Sequence, residues 1–168
     1  MIAILGEVDI PKAVDYFIEM TKDSTIKHEY NVDKKFMHDG GWGVVYTQDN
    51  DTKLHKSIKP VYEDDLEELK KCKIHLLHAR KATTDKISLE NTHPFDAEKN
   101  GKKLYFCHNG TIRDEMEIEG AKGNTDSEKF FLKLAKTFDP YSDVLGIQRV
   151  LRTIIDYSSI NSFLLSDD

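Results

Sequence analysis

The chain has 168 residues, 39% of them hydrophobic, which is enough apolar surface for one core but not comfortably for two. Its 24 basic and 30 acidic residues give a formal net charge of −6, which argues against a nucleic-acid-binding protein with a basic face. The two cysteines do not make a disulfide framework, and no window approaches the roughly 18 apolar residues that a membrane span needs. We therefore expect one soluble domain over residues 1–168 in a reducing cytoplasm, without a nucleic-acid or membrane partner.

The first half of the chain predicts a strand, a helix, a hairpin and a second helix. In chain order, these elements are expected at Met1–Gly6, Ile10–Thr21, Val44–Thr47 with Lys53–Ile58, and Glu63–Lys71. Apolar residues recur at helical spacing in the second segment, and the turn formers Asp49-Asn50-Asp51 separate the two strands of the hairpin. Glu63–Lys71 is acidic first and basic last, the polarity that a helix dipole favours.

The second half predicts strands and amphipathic helices. In chain order, these are strands at Ile74–Ala79 and Lys103–Cys107, helices at Asp126–Phe138 and Val144–Tyr157, and a strand at Ile160–Leu165. On the first of these helices the residues Phe130, Phe131, Leu134 and Ala135 share a face, and either Thr125 or Asn124 is a candidate cap. Strands mixed with helices in groups, rather than in strict alternation, predict an α+β layered fold.

Polar residues that are poorly suited to pure packing fall in loops and at strand ends, where a rigid scaffold usually carries its site. They form four clusters, at His78–Thr83, Asn91–Phe95, Cys107–Gly110 and Gly123–Glu128. Arg80 could grip an α-carboxylate with its guanidinium fork, and Asp126 could bind an α-ammonium. The Asn109 side chain and the Gly110 N–H could both point at an oxyanion, so the combination could hold an amino acid.

Taken singly, these residues have simpler structural interpretations. Arg80 could form a surface ion pair, Asn109-Gly110 is a common turn dipeptide, and Asp126 could only place a negative charge at a helix start. His75 and His78 lie three positions apart and so point to opposite faces of a strand, which argues against a shared zinc site. We therefore expect neither a metal ion nor a cofactor.

In their order along the chain, the clusters resemble motifs of the class II glutamine amidotransferases, members of the amino-terminal nucleophile hydrolase superfamily. His78–Thr83 is similar to the family's His-x-Arg-x-Ala-Thr strand end, and Asn91–Phe95 is similar to its Asn-x-His-Pro loop. His108-Asn109-Gly110 is similar to the oxyanion-hole turn, and Thr125–Glu128 to the Thr-Asp-Ser-Glu helix start. His38–Gly43 is similar to the Asp-Gly-Trp-Gly stretch of a small stand-alone subgroup.

The resemblance implies a fold and a set of site residues. The implied fold is a four-layer α/β/β/α sandwich, in which two antiparallel sheets stack between layers of helices, here truncated at the carboxy terminus. The implied roles are Arg80 on the carboxylate of glutamine, Asp126 on its amino group, Asn109 and Gly110 in the oxyanion hole, Thr83 in the pocket wall, and His93 bracing its loop by hydrogen bonding.

One position departs from the family's pattern. The nucleophile of these enzymes is a cysteine after the initiator methionine, and the free α-amine of that cysteine serves as the base. This chain has Ile2 there, and an aliphatic side chain can neither attack an amide nor carry a proton. Cys107 lies on the same predicted strand face as Asn109, but burial as a small hydrophobe is the commoner role of a free cysteine. We expect a protein that binds glutamine or a related amino acid and is inactive as a glutaminase.

Two alternatives remain open. One is an active glutamine hydrolase or amidotransferase with a relocated nucleophile, at Cys107 or at a hydroxyl such as that of Thr83. The other is a structural or assembly module whose pocket is a remnant. The chain stops just after the strand predicted at Ile160–Leu165, earlier than is usual in the stand-alone subgroup, which predicts an unpaired apolar sheet edge. A homo-oligomer or a separate partner subunit is expected to cover that edge.

Overall fold

A computed structural model describes residues 1–22, 37–81, 86–137 and 144–167 of the chain. The chain divides into two compact units, Met1–Pro94 and Phe95–Asp168, here called the amino-terminal and the carboxy-terminal unit. Each unit has its own antiparallel sheet and its own hydrophobic core. Across the described ranges, no helix combines the length and apolar character needed to cross a membrane.

The described residues of the amino-terminal unit form four strands and one α-helix. They are β1 (Ile2–Ala3), α1 (Ile10–Lys22), β2 (Trp42–Gln48), β3 (Asp51–Ser57) and β4 (Lys73–Ala79). The strands lie in the order β1-β4-β2-β3, and every neighbouring pair is antiparallel. Val14 and Phe17 of α1 are buried in the same core as Val44 of β2 and Leu77 of β4. The strands and the helix predicted for these segments are confirmed.

The predicted hairpin is also confirmed. Its turn lies at Asp49 and Asn50, whose φ angles are 53° and 66°. Positive φ at both central residues is the conformation of a type I′ turn, whose twist matches that of the flanking strands. Asp51, expected in the turn, is instead the first residue of β3 and pairs with Gln48.

The helix predicted at Glu63–Lys71 is wrong. The segment instead contains two short 3₁₀ helices, Val61–Glu63 and Leu69–Lys71. Asp64 between them has an extended backbone, with φ −100° and ψ 149°. Its carboxylate accepts a hydrogen bond of 2.7 Å from the indole nitrogen of Trp42, so a tertiary contact overrides the charge polarity of the segment.

Three strands and two α-helices lie in the part of the carboxy-terminal unit that the structure describes. They are β5 (Phe95–Lys99), β6 (Lys102–Ile112), α2 (Asp126–Thr137), α3 (Val144–Leu151) and β7 (Tyr157–Ser166). The strands lie in the order β5-β6-β7, with both pairs antiparallel. The predicted apolar face of α2 is confirmed, because Phe130, Phe131, Leu134 and Ala135 are all buried in this unit's core. The rings of Phe106 and Phe131 stack at 5.2 Å.

The end of one helix and the presence of one strand in this unit differ from the prediction. The third helix ends at Leu151 rather than at Tyr157. A carboxylate oxygen of Asp114 accepts hydrogen bonds from the amides of Ile155 and Asp156, at 2.7 and 3.1 Å, and so draws the chain away from a helix. Strand β5 was not predicted, because its residues after Phe95 are mostly charged.

Candidate functional site

The end of β4 continues its strand pairing through Arg80. The Arg80 N–H donates to the carbonyl of Gly41, and the Gly40 N–H donates to the carbonyl of Arg80, both at 2.8 Å. Arg80 is only 7% exposed, and His78 two residues earlier is 6% exposed. The structural alternative of a surface arginine is therefore wrong. A buried guanidinium is retained only where other groups stabilise its charge, and this suits a residue that binds an anion.

The Asn91–Pro94 loop is fixed by its own side chains. Thr92 is fully buried, and its hydroxyl donates to the Ser88 carbonyl at 2.8 Å. The Asn91 side-chain amide donates to the Lys86 carbonyl at 3.0 Å. Both bonds close short loops of chain, so the segment before Pro94 holds its conformation through local contacts.

His93 in this loop packs on His78 of β4. Their ring centroids are 4.2 Å apart, with an angle of 31° between the rings. His93 is 5% exposed, so both rings lie in the interior of the amino-terminal unit. His93 thus joins the loop to the strand that leads into Arg80.

Two glycines let this loop and strand β3 lie close to β2. A Cβ atom at Gly43 would lie 2.3 Å from the carbonyl oxygen of His93. A Cβ atom at Gly41 would lie 2.8 Å from the carbonyl oxygen of Ser57 and 3.0 Å from the hydroxyl oxygen of Thr92. Any larger residue at Gly41 or Gly43 would push these neighbours away, so both glycines are needed for close packing.

In the carboxy-terminal unit, Asn109 and Gly110 lie within β6. They pair with Asn161 and Ile160 of β7, so the simpler interpretation of this dipeptide as a turn is wrong. A Cβ atom at Gly110 would lie 1.8 Å from the carbonyl oxygen of Ser159, and the φ angle of Gly110 is 152°. The glycine is needed here for the close approach of β7 and not for a chain reversal.

A β-bulge follows this dipeptide. After the pair Gly110–Ile160, the next paired residues are Ile112 and Tyr157, which leaves two β7 residues, 158 and 159, opposite one β6 residue. The Thr111 N–H donates to the hydroxyl of Ser158 at 3.0 Å. Bulges bend a strand and redirect its side chains, and they often occur beside functional sites.

Asp126 is the first residue of α2, and its carboxylate is bonded to β6. The Asp126 Oδ2 atom accepts a hydrogen bond of 2.5 Å from the Ile112 N–H. Thr125 is confirmed as the helix cap, because its hydroxyl accepts the Glu128 N–H at 3.2 Å. Glu128, only 6% exposed, accepts the N–H groups of Lys122 and Gly123 at 2.8 and 2.7 Å. The helix start that presents Asp126 is thus held from both sides.

His108 links β6 to helix α2 and to strand β7. Its Nδ1 atom lies 2.8 Å from the hydroxyl oxygen of Ser127, and its Nε2 atom lies 3.2 Å from the carbonyl oxygen of Ser159. A carbonyl can only accept, so Nε2 carries the hydrogen and Nδ1 accepts from the Ser127 hydroxyl. Burial lowers the pKa of His108, which favours this neutral form. Sequence reasoning missed this link, because nothing in the sequence pairs residues 19 positions apart.

The remaining candidate residues are placed as follows. Ile2 lies in β1, pairs with Leu77 and packs against the core of the amino-terminal unit. Cys107 lies in β6 and is 0% exposed. Arg80 and His93 belong to the amino-terminal unit, and Asn109, Gly110 and Asp126 belong to the carboxy-terminal unit. Thr83 lies outside the described residues.

The chain belongs to the class II glutamine amidotransferases, because residues 19–165 match the model of that family. It is 31% identical over 104 residues to the "Putative glutamine amidotransferase YafJ" of Escherichia coli (strain K12). That alignment covers 56% of this chain and 40% of the relative. Across four curated relatives, the matched part spans 29% to 50% of the relative's length.

Two solved structures have a similar fold. A "predicted glutamine amidotransferase" from Pseudomonas aeruginosa matches 82% of this chain and 61% of its own, with a TM-score of 0.50 at 23% identity. The glutamine phosphoribosylpyrophosphate amidotransferase from B. subtilis matches 77% of this chain and 30% of its own, with a TM-score of 0.55 at 19% identity. The expectation of a mixed α/β fold with antiparallel sheets, like that of amidotransferases, is therefore confirmed.

Proposed function

We propose that this member of the class II glutamine amidotransferases binds glutamine or a related amino acid and does not hydrolyse it. The observation that carries the proposal is the identity of Ile2 in β1, the position after Met1 at which the resemblance implies the family's cysteine. An isoleucine side chain can neither attack a carbonyl carbon nor accept a proton. The family's motif residues at Arg80, Asn109 and Asp126 are nevertheless retained, which supports a binding function without the hydrolysis.

In the proposed complex, the charged ends of the amino acid are bound by Arg80 and Asp126. The Arg80 guanidinium binds the α-carboxylate, and its burial strengthens a charge-assisted hydrogen bond by lowering the local dielectric. The carboxylate of Asp126 binds the α-ammonium, and the bond from the Ile112 N–H supports its orientation. His93 braces its loop.

The side-chain amide of Asn109 and the N–H of Gly110 bind the amide oxygen of the ligand. In a hydrolase, such donors stabilise the oxyanion that forms when the nucleophile attacks. Where no nucleophile attacks, the same donors contribute to binding of the ground-state carbonyl and to recognition of the side-chain amide. Their role here is selectivity for a carboxamide.

We also propose that both units form one cytoplasmic domain of the α/β/β/α type, as the family match across residues 19–165 supports. A second copy of the chain or a partner subunit pairs with β7. This strand lies at the edge of its sheet in the described part of the chain, and its ten residues include no proline and no charged residue. Charged residues and prolines usually protect such edges, and Phe163 of β7 is 38% exposed.

The test of ligand binding is calorimetric titration with L-glutamine, with D-glutamine as the stereochemical control. We expect binding of the L form alone, and a loss of at least about tenfold in affinity in Arg80→Ala from the missing charge-assisted bond. The matched control is Arg113→Ala, because Arg113 is a half-exposed arginine in a surface ion pair with Asp156. Absence of L-glutamine binding at millimolar concentration overturns the proposal and leaves a repurposed scaffold.

The test of inactivity is ammonia release from L-glutamine. We expect none from the natural sequence and measurable release from Ile2→Cys after removal of the initiator methionine, because that variant restores both nucleophile and α-amine. Release by the natural sequence that disappears in Cys107→Ser would instead establish a relocated nucleophile.

A further inference from the structure

His108 occupies a different face of β6 from the proposed oxyanion donor beside it. Successive side chains of a strand point to opposite faces, so His108 shares its face with Phe106 and not with Asn109. Its ring lies 6.4 Å from the ring of Phe106 and 6.2 Å from that of Phe130, and the residue is 2% exposed. His108 therefore points into the core of the carboxy-terminal unit, towards α2.

Two hydrogen bonds join β6 to the first two residues of α2. The hydroxyl of Ser127 donates to Nδ1 of His108 at 2.8 Å. The N–H of Ile112 donates to the carboxylate of Asp126 at 2.5 Å. The two β6 residues lie four positions apart and flank the segment 109–111, so these bonds bracket the proposed oxyanion donors.

A third bond ties the same ring to the bulge in β7. The Nε2–H of His108 donates to the Ser159 carbonyl at 3.2 Å, and the Ser159 hydroxyl donates to the carbonyl of Asn109 at 3.2 Å. One neutral imidazole thus connects the helix that carries Asp126 with the strand opposite Gly110. Both ring nitrogens of His108 are therefore used in holding α2 and β7 to β6.

We propose that His108 and Ser127 are positioning residues that hold the carboxylate of Asp126 for the α-ammonium of the ligand. This inference rests on the proposed binding of glutamine. Loss of the bond between Ser127 and His108 frees the first turn of α2 to shift relative to β6. Asp126 would then lose its alignment, whereas Asn109 and Gly110 would be kept in place by their pairing with Asn161 and Ile160 of β7.

Calorimetry with two ligands separates this role from a general loss of stability. One ligand is L-glutamine, and the other is 4-carbamoylbutanoate, which is glutamine without its α-amino group. In Ser127→Ala we expect about a tenfold loss of affinity for L-glutamine, the equivalent of one charge-assisted bond, and an unchanged affinity for the analogue. An equal loss for both ligands overturns the positioning role. Thr137→Val, which removes a hydroxyl from the far end of α2, is the control.

Two substitutions of the histidine separate its two bonds. The side-chain oxygen of Asn replaces the Nδ1 acceptor, and the side-chain N–H₂ of Gln replaces the Nε2 donor. We therefore expect His108→Asn to retain selectivity for the α-amino group and His108→Gln to lose it as Ser127→Ala does. If His108→Gln retained this selectivity and His108→Asn lost it, the bond to Ser159 would be the important one, and the proposal would be overturned.

Hydrogen exchange of the Ile112 amide tests the hydrogen-bonded link between β6 and the start of α2 without any ligand. Because this amide donates to Asp126, a displaced helix start removes its acceptor. We expect exchange at Ile112 to be about ten times faster in Ser127→Ala, with core amides of β6 such as Phe106 unchanged. Unaltered exchange at Ile112 overturns the positioning role even where glutamine binds. Faster exchange in a protein that does not bind glutamine would support the link between Ser127 and the position of Asp126 and reject only the proposed function.

Discussion

The indole nitrogen of Trp42 donates a hydrogen bond of 2.7 Å to the carboxylate of Asp64, 22 residues further along the chain. Trp42 is 2% exposed, so its N–H needs a partner within the protein. The bond holds Asp64 in an extended conformation between two 3₁₀ helices. One buried donor therefore decides the path of the segment that follows β3.

We predict that Asp64→Ala lowers the free energy of unfolding by about 1–3 kcal/mol, because it leaves a buried indole N–H without its acceptor. Urea denaturation followed by tryptophan fluorescence measures this directly, since Trp42 is the only tryptophan. Glu63→Ala, at the exposed position before Asp64, is the control and should change the stability by less than about 0.5 kcal/mol. Equal effects of the two substitutions would contradict the importance of the Trp42 bond.

Local sequence patterns predicted the elements that local forces determine. The apolar face of α2 and the turn at Asp49-Asn50 required only helical spacing and turn chemistry. The failures occur where distant residues intervene, as with Trp42 at Asp64 and Ser159 at Gly110. A charge gradient or a turn dipeptide cannot indicate such partners.

The candidate site, too, could be predicted from local motifs but not where distant residues determine its contacts. Motifs read in order along the chain identified the family, which the match over residues 19–165 confirms. The sequence did not indicate that Glu128 shapes the turn before Asp126, or that His108 bonds to Ser127. These supporting contacts depend on how α2 lies on β6, and no periodicity in the sequence records that. The ligand-binding roles of Arg80 and Asp126 stay predictions.

The packing of the His93 loop against β2 can be tested at Gly43. We predict that Gly43→Ala costs about 3 kcal/mol or more, because the new Cβ atom would lie 2.3 Å from the backbone oxygen of His93 and 2.9 Å from that of His55. Gly101→Ala is the control, since nothing lies within 4 Å of a Cβ atom there and only its φ of +75° opposes the change, at a cost of about 1 kcal/mol. Thermal unfolding of both variants measures the difference. Similar losses would show that the loop at His93 can move aside.

The two thiols should differ in reactivity. Cys107 is buried within β6, whereas Cys72 is half-buried at the end of the second 3₁₀ helix. We predict that iodoacetamide labels Cys72 first and that Cys107 reacts only as the protein unfolds, because alkylation requires access to the thiolate. Mass spectrometry of a labelling time course, with Cys72→Ser as the control, distinguishes the two sites. Rapid labelling of Cys107 in the native protein would favour the relocated nucleophile.

The neutral state of His108 makes the carboxy-terminal unit sensitive to acid. Burial lowers the pKa of His108, and this outweighs the opposing effects of the Ser159 carbonyl and the charge of Asp126. A histidine with a lowered pKa in the folded state contributes its full stability above the unfolded pKa of about 6.5, and this contribution is lost as the pH falls through the folded value. Protonation also places a hydrogen on Nδ1, so the hydroxyl of Ser127 must turn and accept this bond instead of donating it. The free energy of unfolding should therefore fall more steeply below about pH 6.5 in the natural sequence than in His108→Asn, as denaturant titrations at successive pH values can show.

Since burial also lowers the pKa of His38 and of His75, only the difference between the two curves belongs to His108. Parallel curves would mean that His108 has the same proton affinity in the folded and unfolded chain, and that the hydrogen bond to Ser127 does not select its neutral form.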